Sequence, residues 1–244
     1  MSVTWTIFWL IFAVVAGGLV VLFLNDYRKS IIKLMLAFSG GFLLSVAFTH
    51  FIPELYATGG QYVGVFILAG FLVQLILEFF SGGIEHGHIH VHKGQSVPIA
   101  LLISLSVHSF IEGIPLGSAE LMHHDVMHHD HHHDGQSLLL GIVFHQFPVA
   151  IALMTLLLKS GISKMKAWSY LGLFAIMTPA GLLFGHFNVI PSEVMNFSLI
   201  MAVVVGMLLH ISTTIIFETS ENHKFNLIKL SAIVVGVAMA IGLN

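Results

Sequence analysis

A histidine and a glutamate four residues apart, His108 and Glu112, stand in the apolar run Val107-His108-Ser109-Phe110-Ile111-Glu112-Gly113-Ile114-Pro115. A second histidine stands in Phe144-His145-Gln146-Phe147-Pro148. The spacing of four puts His108 and Glu112 on one helical face. Imidazole nitrogen with carboxylate oxygen is the ligand set of a borderline metal ion, zinc first, and it also accepts iron, manganese, cobalt or nickel. Three protein ligands leave a coordination position open, which suits an ion that must bind and then leave. The same residues also fit a plainer role, a buried polar cluster that joins helices, with His108 and Glu112 hydrogen-bonded to each other.

Most of the 17 histidines lie in two tracts. One holds His86, His88, His90 and His92; the other holds His123, His124, His128, His129, His131, His132 and His133, interleaved with Asp125, Asp130 and Asp134. Flexible tracts of this kind chelate metal with modest affinity and fast exchange, which fits capture on one side and buffering or release on the other. A solvated loop of drifted composition is the competing account. His50 and Glu54, four apart around Pro53, mark a possible entrance, or a cap at a helix end. His210, followed by Ser212, Thr213 and Thr214 and then by Glu218, marks a possible exit, although such hydroxyls often bond back to their own helix. Glu78 reads as a residue that snorkels from a helix end.

The elements that must position these groups follow from composition. The chain is 57% hydrophobic and 9% charged, with mean hydropathy +0.95, whereas a soluble domain carries about 25% charged residues. Apolar runs of the length that crosses a bilayer, about 20 residues, recur along the chain. They predict an all-α polytopic membrane protein, one domain over residues 1–244, with helices near Thr4–Leu24, Ile31–Phe51, Tyr62–Phe80, Val97–Gly117, Ser137–Leu158, Trp168–Phe187, Met195–Phe217 and Phe225–Leu243. The first run has no basic n-region and no small-residue cleavage site, so it reads as a retained helix. With no cysteine, disulfides and thiolate metal sites are excluded.

Basic residues collect on the cytoplasmic side of short loops. Arg28, Lys29 and Lys33 flank the first loop, Lys93 the third, Lys159, Lys164 and Lys166 the fifth, and Lys224 and Lys229 the seventh. All nine basic residues thus fall on one face of an eight-helix chain, and both termini are expected outside. The first His tract then sits in a cytoplasmic loop at about 82–96 and the second in an external loop at about 119–136. His108, Glu112 and His145 meet at mid-membrane depth, where an ionisable group is costly and reads as functional. Pro115 and Pro148 cannot bond the carbonyls of Ile111 and Phe144. Freed carbonyls at that depth, tolerated where they line a cavity, would help to strip an ion's hydration shell.

These residues resemble the ZIP family of divalent-metal transporters. Gly40-Gly41-Phe42-Leu43, continuing to His50-Phe51-Ile52-Pro53-Glu54, is similar to the family's second helix, and His108-Ser109-Phe110-Ile111-Glu112-Gly113 resembles its His-Asn-x-x-Glu-Gly signature. The family's fifth helix usually reads His-Glu-x-Pro-His-Glu, whereas here it reads His145-Gln146-Phe147-Pro148-Val149-Ala150. The resemblance implies two metal sites. By position, His108, Glu112 and His145 remain for the first, while Val149 removes its fourth ligand. For the second, Ser109 and Gln146 replace Asn and Glu, and Thr178 stands where some members have an acid. One site is therefore expected, held by His108, Glu112 and His145 with Gln146 and Ser109 beside them.

The function expected is transport of a divalent transition metal, zinc or else iron or manganese, toward the cytoplasm. The resemblance also implies a helix bundle that moves against a scaffold, and a homodimer. The metal is the substrate; no organic cofactor, no nucleic-acid partner and no enzyme activity are expected, and the location is a plasma or inner membrane. Two other classes remain. An intramembrane zinc hydrolase would use the same ligands to activate water, but no His-Glu-x-x-His is present and no further mid-span acid is placed as a base. A metal-sensing receptor would need a loop long enough for a signalling domain, and none is.

Overall fold

The computed structural model describes residues 2–23, 29–82, 99–118, 134–187, 189, 197–218 and 227–243, and all regular structure among them is helical. α1 is Val3–Phe23; α2, Lys29–Val46, continues through a π-helical turn at Ala47–Phe51 into α3, Ile52–Thr58. There follow α4 (Val63–Ser81), α5 (Ile99–Ser118), α6 (Asp134–Lys159), α7 (Lys164–His186), α8 (Phe197–Glu218) and α9 (Leu227–Gly242). Seven stretches are long and apolar enough to cross a bilayer, α2 to α3 counting as one, and α9 is a shorter apolar helix of 16 residues. These are the eight expected spans.

Three boundaries differ from expectation by three residues or more, the fifth span beginning at Asp134 and not Ser137. The second span runs on past Phe51 to Thr58 because the chain accommodates Pro53 by widening instead of stopping. The proline has no N–H to offer the Thr49 carbonyl, and the Ile52 N–H reaches five residues back to the Ala47 carbonyl. Pro53 then falls in the first turn of α3, where a missing N–H costs nothing. The sixth span begins at Lys164, not Trp168. Lys, Met and Ala are good helix formers, so the first turn of α7 forms from residues too polar for an apolar run to reveal. Gly60 and Gly161, at φ +75° and +84°, make the tight turns into α4 and α7, a conformation that costs glycine little.

Between helices surrounded by lipid, association comes from close backbone approach, which small residues permit. Four helix pairs use it here. A Cβ at Gly181 of α7 would overlap the Phe110 carbonyl of α5, and one at Gly117 of α5 the Leu182 carbonyl of α7. Gly70 and Gly206 do the same between α4 and α8, Gly41 and Gly236 between α2 and α9, and Gly17 between α1 and α6. The pairs assemble into two groups: α1, α5, α6 and α7 in one, α2, α4, α8 and α9 in the other. The groups meet chiefly where α2 runs along α6 and α4 along α5. Trp5, Phe8 and Phe12 of α1 and Leu68, Leu75 and Ile76 of α4 face outward, exposed to lipid.

Candidate metal site

α5, α6 and α7 each carry a proline inside the helix, Pro115, Pro148 and Pro179. All three belong to the same helix group, and six of the polar side chains buried in it stand within one turn or two of them. His108, Ser109 and Glu112 of α5, His145 and Gln146 of α6 and Thr178 of α7 are each at most 2% exposed. The His108 and His145 rings face each other edge to face with centres 6.3 Å apart. His108 Nε2 lies 3.7 Å from Glu112 Oε2. That is too long for a hydrogen bond, so the pair is not the closed contact that a purely structural cluster would favour.

The spacing can be compared with a metal's needs. Two donors each 2.0–2.1 Å from one tetrahedral zinc stand roughly 3.3 Å apart, and two imidazoles on it have centres roughly 5 Å apart. His108 and Glu112 are thus close to a ligating separation, and the two rings are wider than one by about an ångström on that same geometry. Among the described residues no three His, Asp or Glu side chains are drawn tightly enough to form a ready metal cage. His108 stands beside both of the other expected ligands, Glu112 on its own helix and His145 on α6.

Gln146 Nε2 donates to Thr178 Oγ1. Two of the three positions that the resemblance assigns to a second ion are therefore bonded to each other, one on α6 and one on α7. Val149, one turn past His145, is buried in the apolar core with Ala150, Leu153 and Leu171.

Sequence reasoning missed Gln74. This amide of α4 is fully buried and its Oε1 lies 3.0 Å from His108 Nδ1. The signal was present, since Gln74 stands in the apolar run Phe71–Leu77 and four residues before Glu78. Ser104 of α5 donates to the Leu77 carbonyl of α4 nearby, so two side-chain bonds join the helix groups here.

Glu78 does not snorkel. Its Oε2 meets His210 Nε2 of α8, with both side chains mostly buried, and Phe71 packs edge-on to the His210 ring. The reason is placement: α8 lies along α4, and Glu78 faces it. Thr213 and Thr214 bond back to the carbonyls of Leu209 and His210, so their hydroxyls serve their own helix. His50 lies in the π-helical turn and Glu54 in the first turn of α3, both half-buried. Glu218 is the last residue of α8. Both histidine tracts, His86 to His92 and His123 to His133, lie outside the described residues.

Apolar helices long enough to span a bilayer, with histidine and glutamate buried inside one helix group, define a multi-pass integral membrane protein with a polar interior. The model of the ZIP zinc transporter family matches residues 82–244, and the chain belongs to that family. The matched region takes in α5 to α9, including every His and Glu of the mid-helix cluster. Divalent metal is accordingly the substrate, and the protein is a transporter and not an enzyme. A search of curated proteins finds no match.

Proposed function

We propose that the chain carries zinc, ahead of iron or manganese, into the cytoplasm through one mid-membrane site made by His108, Glu112 and His145. The observation that carries this reading is the burial of those three side chains on α5 and α6, two helices with a proline inside them, with His108 beside both Glu112 and His145. One carboxylate and two imidazoles neutralise part of a divalent charge in a low-dielectric interior without caging the ion, and conduction needs binding weak enough to reverse. The bond between Gln146 and Thr178 supports a single site over two. The partition into two helix groups suits alternating access, with α1, α5, α6 and α7 carrying the site past α2, α4, α8 and α9. The external histidine tract captures ions, and the cytoplasmic tract receives them.

Purified protein in liposomes, loaded with a metal-sensitive dye and offered a panel of divalent ions, tests the proposal. Zinc entry is expected to exceed that of the other ions, and the absence of divalent flux from correctly inserted protein would overturn it. Orientation is checked separately. Cysteine at Thr58 should label from outside intact cells and cysteine at Ser163 should not; the reverse pattern would invert the topology.

A further inference from the structure

We infer that Gln74 is a positioning residue for the transport site: from the opposite helix group, its amide oxygen accepts the Nδ1–H of His108 and so turns the lone pair of Nε2 toward the ion. This rests on the reading of His108 as a metal ligand and adds to it a residue that touches no metal.

A neutral imidazole has one N–H and one acceptor nitrogen. An amide oxygen has no proton to give, so a 3.0 Å contact between Gln74 Oε1 and His108 Nδ1 requires the proton on Nδ1. Nε2 is then the acceptor, and it is the atom that lies 3.7 Å from Glu112 Oε2. A histidine that binds metal through one nitrogen is held by a hydrogen bond from the other, which fixes ring orientation and raises ligand basicity. Both partners are buried, so water does not replace the bond where it stands. Ser104 joins the same two helices through the Leu77 backbone carbonyl, whereas the Gln74 oxygen reaches the ring nitrogen of the candidate ligand.

The placement has a second consequence. Gln74 belongs to α4 and His108 to α5, and these helices lie in different groups. Displacing one group along the other takes the acceptor away from the ring. His108 is thus held in its ligating orientation in one register of the two groups and released in another, which couples affinity for the ion to the position of the site.

Zinc itself, titrated calorimetrically into the full-length purified protein, is the probe. Gln74→Leu removes the acceptor at similar size, Gln74→Glu keeps an acceptor oxygen, and His108→Ala with Gln74→Leu closes a double-mutant cycle. Gln74→Leu is expected to weaken zinc binding about 10–100-fold, the range for lost outer-shell partners, while the maximal flux stays within a few-fold. Gln74→Glu should bind nearly as the parent does, and the double variant should bind no more weakly than His108→Ala alone. Should Gln74→Leu fail to fold, Gln74→Ile, which also lacks an acceptor, takes its place in the cycle. Parent-like binding in Gln74→Leu, no rescue by Gln74→Glu, or losses that add in full would overturn the inference and leave the site intact. Parent-like binding in His108→Ala would sink the site itself, and the inference with it.

Discussion

The two helix groups hold their buried ionisable residues in opposite ways. On α4 and α8, whose helices contain no proline, Glu78 and His210 close directly on each other. On α5 and α6, each with a proline inside it, His108 and Glu112 stand 3.7 Å apart and the two histidine rings 6.3 Å apart. A buried charge must be paired or ligated to be tolerated. The first pair meets that demand by direct contact. The second set stands at a wider spacing, close to what the proposed site requires. The difference teaches that a histidine buried beside an acid can either close on it or stand off from it, and the proposed site rests on the second arrangement.

Replacing one histidine from each group gives the largest expected contrast. His145→Ala should weaken zinc binding by roughly 100-fold or more, since a metal–imidazole bond is lost outright, and should stop flux. His210→Ala should leave zinc affinity within a few-fold and lower the melting temperature instead, by the roughly 1–3 kcal/mol that an abandoned polar partner costs. Equal losses of affinity would make the Glu78–His210 pair part of the route and erase the comparison. A smaller effect is expected at the glycine contacts. Gly181→Ala and Gly70→Ala each push a methyl group into a facing carbonyl, at Phe110 and Val203 respectively, and each should cost about 1–3 kcal/mol of stability. Only Gly181→Ala, which meets α5 at Phe110 and Gly113 between the polar positions of that helix, should also raise the apparent KM for zinc. A matching rise in Gly70→Ala would mean that the groups do not act as separate bodies.

Val149→His sharpens the contrast from the other direction by adding the fourth ligand that the site lacks. A histidine there lies one turn past His145 on the same face, and zinc binding should tighten several-fold while turnover slows. The gain is offset by overpacking, because Val149 is 2% exposed and the larger ring must displace its neighbours. Unchanged affinity in a folded Val149→His would place the ion away from His145.

The spans and the mid-helix cluster were legible in the sequence for one reason: in a bilayer, apolar length and the rarity of charge speak at single-residue level. His108, Glu112 and His145 stood out because each is ionisable within an apolar run. What failed to show depends on which helices are neighbours. Glu78 and His210 are 132 residues apart, and nothing local says that α4 lies along α8, so Glu78 read as a snorkelling side chain. Gln74 carries no charge and drew no attention beside residues that do. The glycines that dock the helix pairs look alike in sequence whether they face a partner or lipid; Gly172, for instance, has open space around it. The π-helical turn before Pro53 was hidden because a proline predicts interruption but not the form that it takes.

The central claim, that His108, Glu112 and His145 hold the ion in transit, is tested most directly at Glu112. The amide of Glu112→Gln is nearly the same size as the carboxylate but contributes no charge, and opposing a divalent ion with a full charge inside a low-dielectric site is worth several kcal/mol. Calorimetric titration of zinc, with flux measured on the same preparation, should show affinity reduced by roughly 100-fold or more on that basis and entry abolished, in protein that inserts and melts as the parent does. Parent-like binding and normal zinc entry in Glu112→Gln would mean that the metal travels elsewhere and that His108 and Glu112 are a structural pair.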